Sequence, residues 1–512
     1  MVCKNRLLLI NPWQTYPKKL ASEYQSYVPY GIACIASIGI MQGFDVKIID
    51  CLVDDTETDL GEFVRYGKNE NDLRNEIISF APDIVGISCI FSMFEKDATD
   101  IASLVKSIDS RIIVILGGVT ATLPEIYEPL LSRTDTYDLM VRGEGEELFA
   151  EILKRYCKEQ KTIIDKSEIK GIAFKTTDGI VSTDPHPFIR NLDALPFPAL
   201  ELLDIDKMLG NKYYSRWRNN PANKRSFPIF TSRGCPYNCC FCSVHSQVGY
   251  RYRMYSIDYV LELMKKCIVR FGINHFHFED DNLTLDVNRA KRLFKEMASL
   301  NISWDTPNGV RADKIDEEMI QLMIASGLSS LSIAAESGNE TVRTNIIHKR
   351  LTTDSVINAV RLCDKYDLPC IVFFVLGFPG ETYENIRETI QFAKNISELY
   401  GTINMIFIAN PLPGTELSRD AKKKGYIKKD LENADYFVAI RANQAPIIAT
   451  EEFDKKSIFF LLQEELDLPD YSVHNITQPM FWYNSQKANL RAYRAFPKMS
   501  NRKVDWKWVD EQ

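Results

Sequence analysis

Four cysteines crowd into TSRGCPYNCCFC, residues 231–242 of a 512-residue chain that holds twelve in all. Cys235, Cys239 and Cys242 are spaced CxxxCxxC, whereas using Cys240 in place of Cys239 would give gaps of four and one. A zinc site wants four ligands, commonly as two CxxC-type pairs, and no second pair lies downstream. A redox pair of Cys239 and Cys242 leaves Cys235 unexplained. Three thiolates on one loop can instead hold three irons of a four-iron cluster, and the fourth iron is then open to bind and reduce a substrate. Cys240 reads as a bystander. Cys34, Cys51, Cys89, Cys267, Cys363 and Cys370 sit in apolar patterns and read as small buried hydrophobes.

The strand-like run FPIFTS (227–232) feeds straight into the cysteine loop. NHFHFE (274–279), ISWDTPNGV (302–310), LSSLSIAAE (328–336), LPCIVFFVLG (368–377) and TINMIFIAN (402–410) follow, separated by helical patterns such as YENIRETIQFAKNI. Six β/α repeats with no reversal signal predict a partial (β/α)6 barrel of the TIM type, with its chemistry on the loops after the strands. Ahead of it, RLLLIN (6–11), DVKIID (45–50), DIVGIS (83–88), RIIVILGG (111–118) and DLMV (138–141) read as strands buried on both faces. Ile101, Leu104, Val105 and Ile108 repeat at helical spacing between them. The expectation is a doubly wound, Rossmann-like α/β fold with a parallel sheet, which binds ligands beyond the carboxyl ends of its strands. Glycines gather there, in GGVTAT after the fourth strand and RGEGEE (142–147) after the fifth.

The expected organisation is a sheet domain over 1–160, a linker over 161–225, the barrel over 226–425 and a small extension over 426–512. Within the linker, NKYYSRWRNNPANKR (211–225) carries five basic residues and no acid. It reads either as a solvated connector or as a segment that meets an anionic cofactor or substrate. The aromatic and basic tail, 475–512, reads as a packing extension. His275 and His277 read as core or barrel-lining histidines, and Arg311 as a barrel-mouth cation or an exposed loop charge. A net charge of −7 argues against bulk nucleic-acid binding. No apolar run approaches the length that crosses a bilayer, and MVCKNRLLLINPW is too short for a secretory signal. Thiols clustered in a large chain without such a signal fit a reducing cytoplasm.

The CxxxCxxC loop, with Phe241 just before its last cysteine, resembles the cluster motif of the radical S-adenosylmethionine (radical SAM) superfamily. HFEDDNLTLD (277–286) is similar to that family's acidic turn, which implies Glu279 and Asp280 near the amino group of S-adenosylmethionine. IAAESGNETVR (333–343) resembles the fourth-strand segment and implies Glu336 beside the same cofactor. VLGFPGETYENI (375–386) resembles the glycine turn along the adenine, which implies Gly377 and Gly380, and NPLPGTEL (410–417) resembles the sixth-strand end. In the sheet domain, PYGIACIASIGIMQGFDVKIIDC (29–51), Ser88–Ile90 and Gly117–Gly118 resemble cobalamin-binding domains fused before such barrels. The resemblance implies a cobalamin slot at Ser88, Gly117, Gly118, Gly143 and Gly145.

One departure is plain: the motif Asp-x-His-x-x-Gly is absent, and the first histidine is His186. Cobalamin then binds with no histidine on its lower face, or the domain has lost it; the retained glycine turns favour binding. Trp13 is expected as an apolar lid there, with Gln14 offering an oxygen or holding a water. Taken together, the resemblance implies a [4Fe-4S] cluster, S-adenosylmethionine and cobalamin, and a methyltransferase that acts on an unactivated carbon through a 5′-deoxyadenosyl radical and methylcobalamin. Its rivals are a cyclase or rearrangement enzyme that transfers no methyl group, a barrel whose sheet domain no longer binds cobalamin, and a non-enzymatic sensor or cluster carrier. The implied partners are a small-molecule, lipid or peptide substrate and an electron donor such as flavodoxin or ferredoxin, with no nucleic acid.

Overall fold

Leu7, Leu8, Leu9 and Ile10 are all buried, as in a strand covered on both faces. In the computed structural model, which describes residues 5–18, 21, 24–159, 163, 166–214, 225–427, 448–466, 480–488 and 491, they lie in β1 (Arg6–Asn11). The chain divides into two units, Met1–Arg216 with Val244–Gly249, and Trp217–Ser243 with Tyr250–Gln512.

The first unit continues through β2 (Gln14–Pro17), β3 (Asp45–Asp50), β4 (Glu57–Leu60), β5 (Phe63–Tyr66) and β6 (Ile84–Ser88). It closes with β7 (Ile113–Gly117), β8 (Leu139–Val141), β9 (Ile172–Thr176) and β10 (Gly179–Ser182). The main sheet has the order β10-β9-β8-β7-β6-β1-β3, and β3, β1, β6, β7 and β8 are parallel. The chain steps from β1 outward to β3 and returns on the other side at β6. Its topological switch therefore lies between the carboxyl ends of β1 and β6, at Asn11 and Ser88. The helix Glu95–Ile108 buries Ile101, Leu104 and Val105 in one cluster with Val85 and Val114 of the sheet. Each such side chain contributes about 1.5–3 kcal/mol by leaving water.

The sheet is not parallel throughout. Residues 172–182, inside the stretch expected as a linker, add the antiparallel hairpin β9–β10 to its edge. Its two-residue turn, Thr177–Asp178 closed by Gly179 at φ 133°, is a hairpin signal that the surrounding prolines obscure. A second addition is the antiparallel sheet β2-β5-β4, which gathers residues on either side of β3.

The second unit begins with β11 (Ser226–Ile229), β12 (Ser232–Arg233), β13 (Arg253–Met254), β14 (His275–Phe278) and β15 (Ser303–Asp305). It continues with β16 (Leu328–Glu336), β17 (Cys370–Leu376), β18 (Ile403–Ile408) and β19 (Met480–Asn484). The sheet order is β11-β14-β15-β16-β17-β18-β19; the six strands to β18 are parallel, with helices between them. These are the β/α repeats read from the sequence. β19 pairs antiparallel with β18 and comes from the segment expected as an extension, so Phe481, Trp482 and Tyr483 belong to a sheet strand. Residues 215–224 of the basic connector and 492–512 of the tail lie outside the described residues. Among the described residues, no helix is long and apolar enough to cross a membrane.

Candidate cofactor sites at the strand ends

The cysteine loop is tied down at its start. Asp280, just past β14, accepts from the Thr231 N–H (3.1 Å), the Thr231 hydroxyl (2.8 Å) and the Ser232 hydroxyl (2.5 Å). Asp281 accepts from the Gly234 N–H at 3.2 Å, and the Asn282 amide reaches the Cys235 sulfur at 3.7 Å. Burial pushes the Asp280 carboxyl up against these bonds and raises Asp281 to about 6. Asp280 was expected to meet a cofactor amine. In the structure its carboxylate faces the loop instead and positions it, while Glu279 beside it is equally buried.

The four thiols separate into two kinds. Cys235, Cys239 and Cys242 are partly exposed, and Cys240 is buried. The Cys240 N–H donates to the Ile347 carbonyl at 3.0 Å, and its own carbonyl accepts from the Leu417 N–H at 2.9 Å. Burial pushes its thiol far up, which disfavours the thiolate a metal needs. Burial also raises Cys239, and Lys349 and Arg311 offset this only in part.

Those two cations are delivered by the ends of β15 and β16. Glu336 closes β16 at φ 67°, and the Lys349 ammonium lies 2.6 Å from its carboxylate with both groups buried. His348 and Arg350 also have positive φ, at 65° and 49°, so the backbone around this pair is strained. Arg343 holds the intervening loop: wholly buried, it donates to the Leu351 carbonyl at 2.8 Å, to the Ser337 carbonyl and to the Thr353 hydroxyl. Arg311 donates to the carbonyls of Lys349 (2.9 Å) and Arg350 (3.3 Å), and its guanidinium stacks 3.8 Å over the Tyr237 ring in the cysteine loop. It is thus a buried barrel-mouth cation and not an exposed charge.

At the end of β17 the turn carrying Gly377 (φ 89°) and Gly380 (φ 98°) is held by Glu381. One Glu381 oxygen accepts from the N–H groups of Gly377 and Phe378, each at 2.7 Å. Burial raises this carboxyl to about 7. The Phe378 ring packs 5.7 Å from Phe241, joining the turn to the cysteine loop. A Cβ on Gly377 would come 3.0 Å from Ile458, whereas one on Gly380 would meet Ile346 only at ordinary contact distance, 3.6 Å.

In the sheet unit, Ser88 and Gly117 are register partners at the ends of β6 and β7. A Cβ on Gly117 would meet nothing within 4 Å, and the same holds for Gly143. Gly118 differs: at φ 94° its Cβ would lie 2.6 Å from the Cys89 carbonyl oxygen, so close backbone packing requires it. Gly145 would bring a Cβ 3.1 Å from Ile35. Beside this space, at the topological switch, Asn11 donates to Asp50 at 2.7 Å, and burial lifts that carboxyl to about 6. Trp13 does not form a lid. It is buried in the sheet's core with the Arg65 guanidinium 4.4 Å over its ring. Gln14 is the first residue of β2, buried between the hydroxyls of Tyr27 and Tyr16. The β2-β5-β4 sheet, absent from the sequence reading, accounts for both.

The residues suit the implied groups. Three partly exposed thiols stand on one loop, the donor set that three irons of a four-iron cluster take. Two buried cations stand beside Cys239 and partly offset the burial that raises its thiol. Gly117 and Gly143 leave the strand ends of the sheet clear of side chains, as a large planar ligand requires.

Comparison with known proteins agrees. The B12 binding domain model matches residues 20–153, and the radical SAM superfamily model matches residues 229–393. An uncharacterized methyltransferase of Pyrococcus horikoshii is 31% identical over 416 residues, covering 80% of this chain and 82% of that protein. The cytidylyl-2-hydroxyethylphosphonate methyltransferase of Streptomyces wedmorensis is 27% identical, covering 82% of each. The radical S-adenosylmethionine methyltransferase TsrM of Kitasatospora setae, solved with tryptophan and an S-adenosylmethionine analogue, shares the fold at a TM-score of 0.64 and 15% identity over 99% of each chain. With a B12-binding domain ahead of a radical SAM domain, and a 31% identical relative aligned over four-fifths of its length, the chain belongs to the radical SAM enzymes that carry a B12-binding domain.

Proposed function

We propose that this enzyme is a cobalamin-dependent methyltransferase that modifies an unactivated carbon of a small-molecule substrate. The observation that carries the reading is the sorting of the cysteine loop. Three thiols at CxxxCxxC spacing stay partly exposed, Cys239 of them beside Lys349 and Arg311, while Cys240 is pinned and buried. Cys235, Cys239 and Cys242 would hold the [4Fe-4S] cluster. Phe241, Glu279, Glu336 and the Gly377–Gly380 turn would receive S-adenosylmethionine, with Asp280 positioning the loop between them. Ser88, Gly117, Gly118, Gly143 and Gly145 would form the cobalamin slot. Reductive cleavage of S-adenosylmethionine supplies hydrogen abstraction, and cobalamin supplies the methyl carrier.

The chain's own contribution is to fix the surroundings. Asp280 and Asp281 set the path of the cysteine loop through Thr231, Ser232 and Gly234. Arg343 and Arg311 hold the loop that presents Lys349 to Glu336. Glu381 shapes the glycine turn so that its backbone can approach a ligand closely. The two named relatives are methyltransferases, which supports methylation over cyclisation. A reduced flavodoxin or ferredoxin would supply the electron, in the cytoplasm.

Incubating cluster-loaded, cobalamin-loaded protein with S-adenosylmethionine and a reductant tests the reading. We expect 5′-deoxyadenosine, and S-adenosylhomocysteine alongside it when methyl groups are consumed. Formation of 5′-deoxyadenosine alone would point to a cyclase or rearrangement enzyme, and formation of neither to a sensor or carrier.

A further inference from the structure

Phe278 and Trp304 pack with Phe294 of the helix Val287–Met297. Strand alternation therefore turns His275 and His277 of β14, with Ser303 and Asp305 of β15, onto the face that looks away from that helix. Register places His275 opposite Ser303 and His277 opposite Asp305. The exposures are 0% for His275, 4% for His277 and 4% for Asp305. One ligand atom from each of the three side chains lies within 4.8 Å of the other two. His277 Nδ1 is 2.8 Å from one Asp305 oxygen, and His275 Nε2 is 3.5 Å from the other.

The neighbouring serine holds the His275 ring. Ser303 Oγ lies 3.4 Å from the Asn274 carbonyl, to which it donates, and 2.8 Å from His275 Nδ1. Nδ1 of His275 thus meets the serine hydroxyl, and Nε2 faces the Asp305 carboxylate. Each Asp305 oxygen therefore has a histidine nitrogen beside it, which gathers three donor groups in one buried place. Burial works against the Asp305 charge, yet His277 and His275 outweigh it and hold this carboxyl well below the usual range.

We propose that His275, His277 and Asp305 form a second metal site, for one divalent transition ion of the Zn2+ or Fe2+ class, apart from the cysteine loop. Two imidazoles and a carboxylate are the donor set that such ions take, and hard ions such as Mg2+ and Ca2+ do not favour. Ser303 plays the part of the outer partner that fixes ring orientation. Three protein ligands leave a further position on a four-coordinate ion.

The test uses the full chain with its iron–sulfur cluster loaded, so that the loop thiols are engaged and zinc is distinct from cluster iron and cobalamin cobalt. Dialysis against micromolar Zn2+ should leave one zinc per chain. Asp305→Asn and His277→Gln, with intact cluster absorption, should each weaken retention by about tenfold or more. Anomalous diffraction at the zinc edge from wild-type crystals should place the ion about 2 Å from two histidine nitrogens and an Asp305 oxygen. A wild-type chain that retains no zinc, retention undiminished in both variants, or an anomalous peak elsewhere would each overturn the proposal. The diffraction result decides even where a variant fails to fold. Failure of the cluster assignment would show separately, as missing iron.

Discussion

At the strand ends of the barrel, polar side chains engage one another: Asp280 with Thr231 and Ser232, Lys349 with Glu336, Glu381 with the backbone of Gly377 and Phe378. At the strand ends of the parallel sheet, Gly117 and Gly143 instead face open space. One region is fixed by many buried polar contacts, and the other is cleared by the lack of side chains. A region that must orient charged, reactive groups in a dry setting needs charges already locked in place. A region that only has to admit a large cofactor needs room. Substitutions should therefore damage the barrel end through charge and stability, and the open position Gly117 of the sheet end through occupancy.

The largest expected effect is at the loop. Cys239→Ala should abolish the visible absorption of the cluster and all 5′-deoxyadenosine production. Cys240→Ala should retain both, at a stability cost of about 1 kcal/mol for one buried sulfur. If the alanine at 240 bleached the protein, the assignment of the three thiols would be in the wrong register.

Next comes the buried ion pair. Lys349→Met leaves the Glu336 carboxylate without its counter-charge, which costs about 3–5 kcal/mol. Replacing both, as Lys349→Met with Glu336→Gln, should recover most of that loss in denaturant unfolding. A double variant as unstable as the single one would show that the pair is not the source. Loss of S-adenosylmethionine binding in a stable double variant would separate a cofactor role from a structural one.

Glu381 gives a pH signature of smaller size. Its carboxyl sits at about 7 in the folded chain because burial disfavours the charge. The ordinary unfolded value is near 4.3. The folded state thus holds its proton more tightly, so the contribution is fully present below about pH 4 and is lost as pH rises through 7. Glutamine at 381 keeps an oxygen for both N–H donors and cannot ionise. The stability of Glu381→Gln relative to wild type should rise by roughly 2 kcal/mol between pH 5 and pH 8. A difference that does not change with pH would remove the buried, titrating carboxyl.

The sequence exposed whatever is written along the chain. The CxxxCxxC spacing, the six buried runs of the barrel and the glycines after β7 were all legible, because their signals are local. What escaped depends on partners far apart. Asp305 meets His277 across twenty-eight positions, and Lys349 meets Glu336 only because Arg343 folds the loop between them. The β2-β5-β4 sheet joins residues on either side of β3, and it carries Trp13 into the core and Gln14 between two tyrosines. No periodicity in the sequence announces that. Glu381 was within reach, since it directly follows the Gly-Phe-Pro-Gly turn whose N–H groups needed an acceptor.

The two adjacent glycines at the end of β7 sharpen the comparison with the smallest change in stability. Gly118 has φ 94°, and an added Cβ would strike the Cys89 carbonyl at 2.6 Å. Gly118→Ala should therefore cost more than about 1 kcal/mol whether or not cobalamin is present. Gly117 has no positive φ, and an added Cβ meets nothing within 4 Å. Gly117→Ala should leave unfolding of the cobalamin-free chain within about 0.5 kcal/mol of wild type, because alanine fits the backbone and restricts the unfolded chain. Gly117→Val projects two methyl groups into the same space, where a bound cofactor would have to pass. Cobalamin retained per chain, read from its visible absorption after gel filtration, should fall slightly in Gly117→Ala and strongly in Gly117→Val, with the fold and the iron content unchanged. Full retention in the valine variant would mean that the space beside Ser88 is not the slot, and the sheet would have to hold its cofactor elsewhere along the strand ends.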